Sequence, residues 1–186
     1  MVSYILMALM IMTSLAAFIW PPLADYVGGI GELNYMWQPW TAVFLHGWPG
    51  MPLLPHLAGN LILLALAGAP VERHIGSRWF LLLTLMAIAM AGVIRWLTGL
   101  EFNGASAFIW AYAPLLWWLI RQGKETDKAG LLWLMWLVVP LTLGIISAIN
   151  GTNLLTALLL GNVYHLSATA VGFAAIRLWQ NGIINQ

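Results

Sequence analysis

The sequence contains no cysteine, which removes disulfides, thiolate metal sites and cysteine nucleophiles together. Charge is scarce as well: Asp, Glu, Lys and Arg make up 7% of 186 residues, and seven basic against six acidic side chains leave a formal charge of +1. No basic surface is available to neutralise a run of phosphates, so nucleic-acid binding is excluded. There is no GxGxxG, P-loop or HExxH pattern and no internal repeat. What is present is apolar: 62% of the chain is hydrophobic and the mean hydropathy is +0.87, far outside the balance of a water-soluble globule.

Apolar runs bounded by charge, Gly or Pro lie at Val2–Trp20, His56–Ala69, Trp79–Leu97, Ser106–Ile120, Ala129–Ile149 and Val163–Trp179. A hydrocarbon core of about 30 Å takes roughly 20 residues per helix, so six spans would use about 120 residues. The reading is an all-α, polytopic, six-transmembrane-helix bundle occupying residues 1–186 as a single membrane domain. The first run has no Lys or Arg ahead of it and ends at Trp20-Pro21-Pro22 without a small-x-small cleavage site, so it reads as a span rather than a signal peptide. Residues 21–55 mix Pro, Gly and Trp with apolar patches and read as an interfacial outer loop, where indole rings prefer to sit. The sequon Asn150-Gly151-Thr152 is read as accidental.

With an even number of spans, both termini share a side. Arg73, Arg78, Arg121, Lys124, Lys128 and Arg177 then fall on that side, and only Arg95 falls opposite. The positive-inside rule makes it cytoplasmic. The expected location is a prokaryotic cytoplasmic membrane, with the site opening to the outer side.

Polar groups inside a span are costly, and four stand out: His56, Asn60, Ser106 and His165. Counting back from the cytoplasmic arginines at about 1.5 Å per residue puts them about 18 to 26 Å deep, within one slab about 8 Å thick. The fourth run is too short to cross the core, so its N-terminus ends inside, where free backbone N–H groups require a hydrated cavity. A serine there has its hydroxyl in the cavity with donors beside it for an oxyanion, and a histidine at matching depth on another helix can take its proton.

These motifs resemble those of the rhomboid intramembrane serine proteases from about Trp37 to Trp179. His56-Leu57-Ala58-Gly59-Asn60 matches the family's His-x-x-x-Asn, and Glu72-Arg73-His74-Ile75-Gly76 its Glu-x-x-x-Gly turn. Gly104-Ala105-Ser106 matches Gly-x-Ser, and Gly161-Asn162-Val163-Tyr164-His165 with Gly172 is similar to Gly-Asn-x-x-His and its following small residue. The resemblance implies a rhomboid-like bundle in which Ser106 is the nucleophile and His165 the general base, with His56, Asn60 and the Ser106 N–H as oxyanion hole. It implies a supporting role for Gly104, and for Trp110 as the ring against His165, with no metal and no cofactor. No intramembrane carboxylate orients His165, so packing is expected to do so; small residues Ala107, Ala111, Ala168 and Gly172 would let the fourth and sixth helices approach.

The implied activity is hydrolysis of a peptide bond in or near the transmembrane segment of a membrane-protein substrate, within the lipid bilayer. Three departures from the family pattern are present: Ala107 where Gly is usual, Gln38 where the loop's Trp-Arg motif has arginine, and the insertion Gly47-Trp48-Pro49-Gly50-Met51-Pro52. They motivate an alternative, a catalytically inactive rhomboid-like pseudoprotease that binds membrane clients. A second alternative uses His56 and His165 as haem ligands or in a proton path. His46 and His74 are expected to be structural or surface residues.

Overall fold

The computed structural model describes residues 1–29, 33–47, 53–125, 128–149, 153–160 and 162–181. Among them every regular element is helical. In chain order these are α1 (Val2–Ile19), α2 (Pro22–Gly28), α3 (Gln38–Thr41) with a 3₁₀ turn at Ala42–Phe44, α4 (Leu53–Leu63), α5 (Ala69–Ile75) and α6 (Ser77–Thr98). There follow α7 (Ser106–Ile109), α8 (Tyr112–Arg121), α9 (Ala129–Trp133), α10 (Val139–Ile149), α11 (Leu154–Leu160) and α12 (Val163–Gln180). The Trp48–Pro52 part of the loop insertion, Gly161 and the Asn150–Thr152 sequon lie outside the described residues.

Among the described residues three helices are long and apolar enough to cross a membrane: Val2–Ile19, Leu53–Ile75 and Ser77–Thr98. The inward stripe of α1 is Ser3, Leu6, Met10, Ser14 and Ala17, at helical spacing, while Ile5, Met12 and Leu15 are exposed. On α6 the buried face runs from Phe80 through Thr84, Ala87 and Ala91 to Arg95, and Leu82, Leu85, Met86 and Val93 face outward. Helices apolar on both faces suit a lipid exterior rather than water.

Prolines mark where the helices deform. The π turn at Leu64–Gly68 joins α4 to α5 just before Pro70, and another at Leu134–Val138 joins α9 to α10 just before Pro140. A proline has no N–H and its ring clashes with the carbonyl four residues back, here Leu66 and Trp136, each inside its π turn. The run expected as one helix over Ser106–Ile120 is instead divided at Trp110-Ala111 into α7 and α8. Pro114 accounts for this by the same reasoning: it cannot donate to the Trp110 carbonyl, which takes the Ala113 N–H at 3.4 Å instead.

Packing places α7 against α4, α6 and α12, and α12 against α6 and α8. At Gly172 an added Cβ would run into the Ala111 carbonyl, so the absence of a side chain lets α12 lie directly on α8's start. Ala107, Ala111 and Ala168 are buried at the same junction. The segment over residues 21–55 carries its own short helices, and Gln38, Val43, Leu45 and His46 are buried in the bundle. Trp40 lies against Gly92 of α6, where a Cβ would displace its ring.

Candidate active site

The start of α7 is set by its neighbours. Gly104 has φ +103°, a conformation that side chains other than hydrogen rarely adopt, and a Cβ there would sit 2.6 Å from the His56 Nε2. Its N–H donates to the Ala42 carbonyl at 3.0 Å, and the Ala105 N–H donates to His46 Nε2 at 2.9 Å. The Ser106 N–H has no protein acceptor among the described residues. Two of three consecutive donors are thus locked to the loop, and the third, on the serine itself, is left free.

A cavity of about 420 Å³ opens beside this turn. Ser106, Ala107 and Trp110 line it from the α7 side, His56, Gly59 and Asn60 from α4, Val139 from α10, and Tyr164 with His165 from α12. All four polar side chains singled out in the sequence therefore share one cavity, contributed by three helices. No hydrogen bond joins Ser106 to His165. Asn60 Nδ2 donates to the His56 carbonyl one turn back at 3.0 Å. His56 Nδ1, Asn60 Oδ1, Asn103 Oδ1 and Trp110 Nε1 are buried without a protein partner among the described residues, and all four residues line this cavity. Buried polar atoms lacking partners are uncommon, and four around a single cavity mark a polar, water-receiving space inside an otherwise apolar bundle.

His165 is held on two sides. Its ring stacks on Trp110 with centroids 4.2 Å apart and planes 15° from parallel. Its Nδ1 lies 3.1 Å from Asn162 Oδ1. The Asn162 amide nitrogen donates to the carbonyls of Leu158 at 2.9 Å and Pro140 at 3.3 Å, which leaves the amide oxygen as the acceptor. His165 Nδ1 is then the protonated nitrogen, and Nε2 carries the lone pair. Packing alone was expected to orient this ring; an amide three residues earlier on the same helix face does so as well. The i, i+3 spacing of Asn162 and His165 was the available signal.

His46 is fully buried, and besides taking the Ala105 N–H it has Nδ1 3.2 Å from the Phe44 carbonyl, while its own N–H donates to Ser14 Oγ at 3.0 Å. Its ring lies 5.1 Å from that of His56. Burial, reinforced by His56, lowers its pKa to about 3 against the opposing pull of the Phe44 carbonyl, so it stays a neutral acceptor. Arg95, also buried, donates to the Gly29 carbonyl at 2.6 Å and the Phe102 carbonyl at 3.2 Å. It ties α2's end to the strand of chain leading into Ser106. Gln38 stands where an arginine was expected; it accepts the N–H groups of Asn34 and Tyr35 and donates to the Asp25 carbonyl at 2.6 Å. His74 is half-buried at the other end of the bundle, its Nδ1 2.9 Å from the Pro70 carbonyl.

Glu72 and Gly76 form the turn between α5 and α6. Glu72 accepts from Val2 N at 2.6 Å, Ser3 N at 2.9 Å, Ser3 Oγ at 2.6 Å and Ser77 Oγ at 2.5 Å, joining three helices at one carboxylate. Gly76 takes φ +79° and is followed directly by α6.

No curated protein and no solved structure matches the chain. A family model described as the Rhomboid domain matches residues 33–180, a stretch containing every cavity-lining residue named above and most of the chain. With a match of that extent, the chain belongs to the rhomboid family.

Proposed function

We propose that this protein is an intramembrane serine endopeptidase acting through a Ser106–His165 dyad. The family generally consists of intramembrane serine proteases acting on transmembrane substrates in the bilayer. The observation that carries the reading for this chain is the convergence of Ser106, His165 and four partnerless buried polar atoms on one cavity.

In this reading His165 Nε2 takes the proton of Ser106 as the hydroxyl oxygen attacks the scissile carbonyl, then returns it to the leaving amine. The dyad hydrogen bond forms as substrate fills the cavity, since catalytic hydrogen bonds commonly tighten only in the complex. The Ser106 N–H, with His56 and the second N–H of Asn60, stabilises the tetrahedral oxyanion. Asn162 fixes the tautomer and Trp110 the ring plane of His165. Substrate approaches between α4 and α10, where Gly59 and Val139 line the cavity wall. In the six-span reading both termini lie on the cytoplasmic side and the cavity faces the outer side of the membrane.

The test is labelling of the full chain by a fluorophosphonate in detergent. Adduct on Ser106 that disappears in Ser106→Ala, together with loss of cleavage of a transmembrane substrate in Ser106→Ala and His165→Ala, is the expected result. The missing Ser106–His165 hydrogen bond and the methyl of Ala107 favour a second reading, a pseudoprotease that binds membrane clients. Folded protein that never accepts the label selects it.

A further inference from the structure

A second groove lies between α8 and α12 at the end of the bundle remote from Ser106. It encloses about 790 Å³, with Arg121, Gln122, Arg177 and Gln180 at its mouth and Trp117 and Trp118 on its wall. The Arg121 guanidinium sits over the Trp117 ring at 5.7 Å, and the Lys124 ammonium over the Trp118 ring at 5.6 Å. No carboxylate lines this groove among the described residues. The Glu125 carboxylate nearby pairs with Arg73 at 3.3 Å and lies 3.8 Å from His74 Nδ1, and it engages neither Arg121 nor Arg177.

Phe173 belongs both to this groove and to a second cavity of about 350 Å³ that is almost wholly apolar. Pro140, Leu166 and Thr169 line that cavity, and Trp110 with His165 closes its far end. The two adjoin at Phe173, whose ring packs against both Trp117 and Trp136, and together they follow α12 as one trough that passes this side chain. Arg177 and Leu166 are eleven residues apart, about 16 Å of helix, which matches the roughly 15 Å depth of one leaflet of a 30 Å core.

We propose that this trough binds an anionic phospholipid, its phosphodiester between Arg121 and Arg177 and one acyl chain along α12 to the back of the Trp110–His165 stack. Two guanidinium groups with no carboxylate partner among the described residues call for net negative charge. Tryptophans on the wall beside the arginines suit the headgroup boundary, and the apolar arm beyond Phe173 distinguishes a lipid from a soluble phosphate. A zwitterionic headgroup brings its own ammonium and competes with the arginines.

Delipidated full-length protein in detergent is titrated with phosphatidylglycerol, phosphatidylcholine and glycerol phosphate, with bound species read by native mass spectrometry and stability by thermal unfolding. Phosphatidylglycerol is expected to bind in preference to phosphatidylcholine and to raise Tm, and glycerol phosphate to do neither. Arg121→Gln and Arg177→Gln should each weaken phosphatidylglycerol about fivefold. Arg177→Lys should keep the preference, as should Arg78→Gln, which alters a basic residue over Trp79 outside the groove. Thr169→Trp fills the apolar arm and should weaken binding with no change of charge. Equal binding of the two phospholipids, or a double arginine variant that binds as the parent does, overturns the proposal. Protection by glycerol phosphate equal to that by phosphatidylglycerol overturns the lipid assignment, and indifference to Thr169→Trp overturns the acyl path. None of these readouts depends on whether Ser106 is a nucleophile.

Discussion

His46 gives the sharpest prediction, because its protonation and its hydrogen bond are mutually exclusive. Nε2 accepts the Ala105 N–H at 2.9 Å, and a protonated ring has no lone pair to offer. With the pKa held at about 3 in the folded protein against 6.5 in an unfolded chain, the stabilising contribution is complete above pH 6.5. It is lost as pH falls from there toward 3, because the unfolded chain then binds a proton that the folded one refuses. The slope is at most about 1.4 kcal/mol per pH unit, so lowering pH from 6.5 to 4.5 costs roughly 2.5 kcal/mol from this residue. His46→Gln supplies an oxygen in place of Nε2 and cannot titrate. Unfolding free energies measured in micelles between pH 6.5 and 4.5 should therefore fall less steeply in His46→Gln than in the parent, and the difference isolates His46 from other histidines. Parallel pH dependences in the two proteins would refute the reasoning.

Glu72→Gln should destabilise the bundle by about 3 kcal/mol in thermal or denaturant unfolding, since a carboxamide presents an N–H₂ to two of the donors that Glu72 now accepts. A loss below about 0.5 kcal/mol would contradict the role given to that carboxylate. Gly104→Ala should cost about 1–3 kcal/mol in Tm-derived stability, from the φ of +103° and the close approach of His56. Asn162→Leu removes the acceptor on His165 Nδ1 and should slow fluorophosphonate labelling of Ser106 about tenfold or more with the helical circular dichroism intact; an unchanged rate would show that the tautomer is set elsewhere.

Helical content and membrane character followed from composition and run length alone, because a chain this apolar must satisfy its backbone internally. Helical rise converts residue counts into distance, so His56, Asn60, Ser106 and His165 were expected at one depth, and the structure brings all four to one cavity. Helix ends and interruptions were less legible: the division at Trp110-Ala111 depends on Pro114, whose missing N–H leaves no trace in a hydropathy run. Asn162 belongs to the Gly-Asn-x-x-His motif, yet its partners were not legible, because its bonds to the Pro140 and Leu158 carbonyls and to His165 join three helices.

The amino-acid order by itself determined the helical, apolar character of the chain and which polar residues stood out against it, since those depend on composition and on neighbours along the chain. Only the tertiary structure decided that His46 of the loop holds the Ala105 N–H, that Arg95 from α6 grips the chain ahead of Ser106, and that Arg121 and Arg177 border one trough. The first and last of these join residues dozens of positions apart, and rotation of one helix about its axis would break all three while leaving every hydropathy run unchanged.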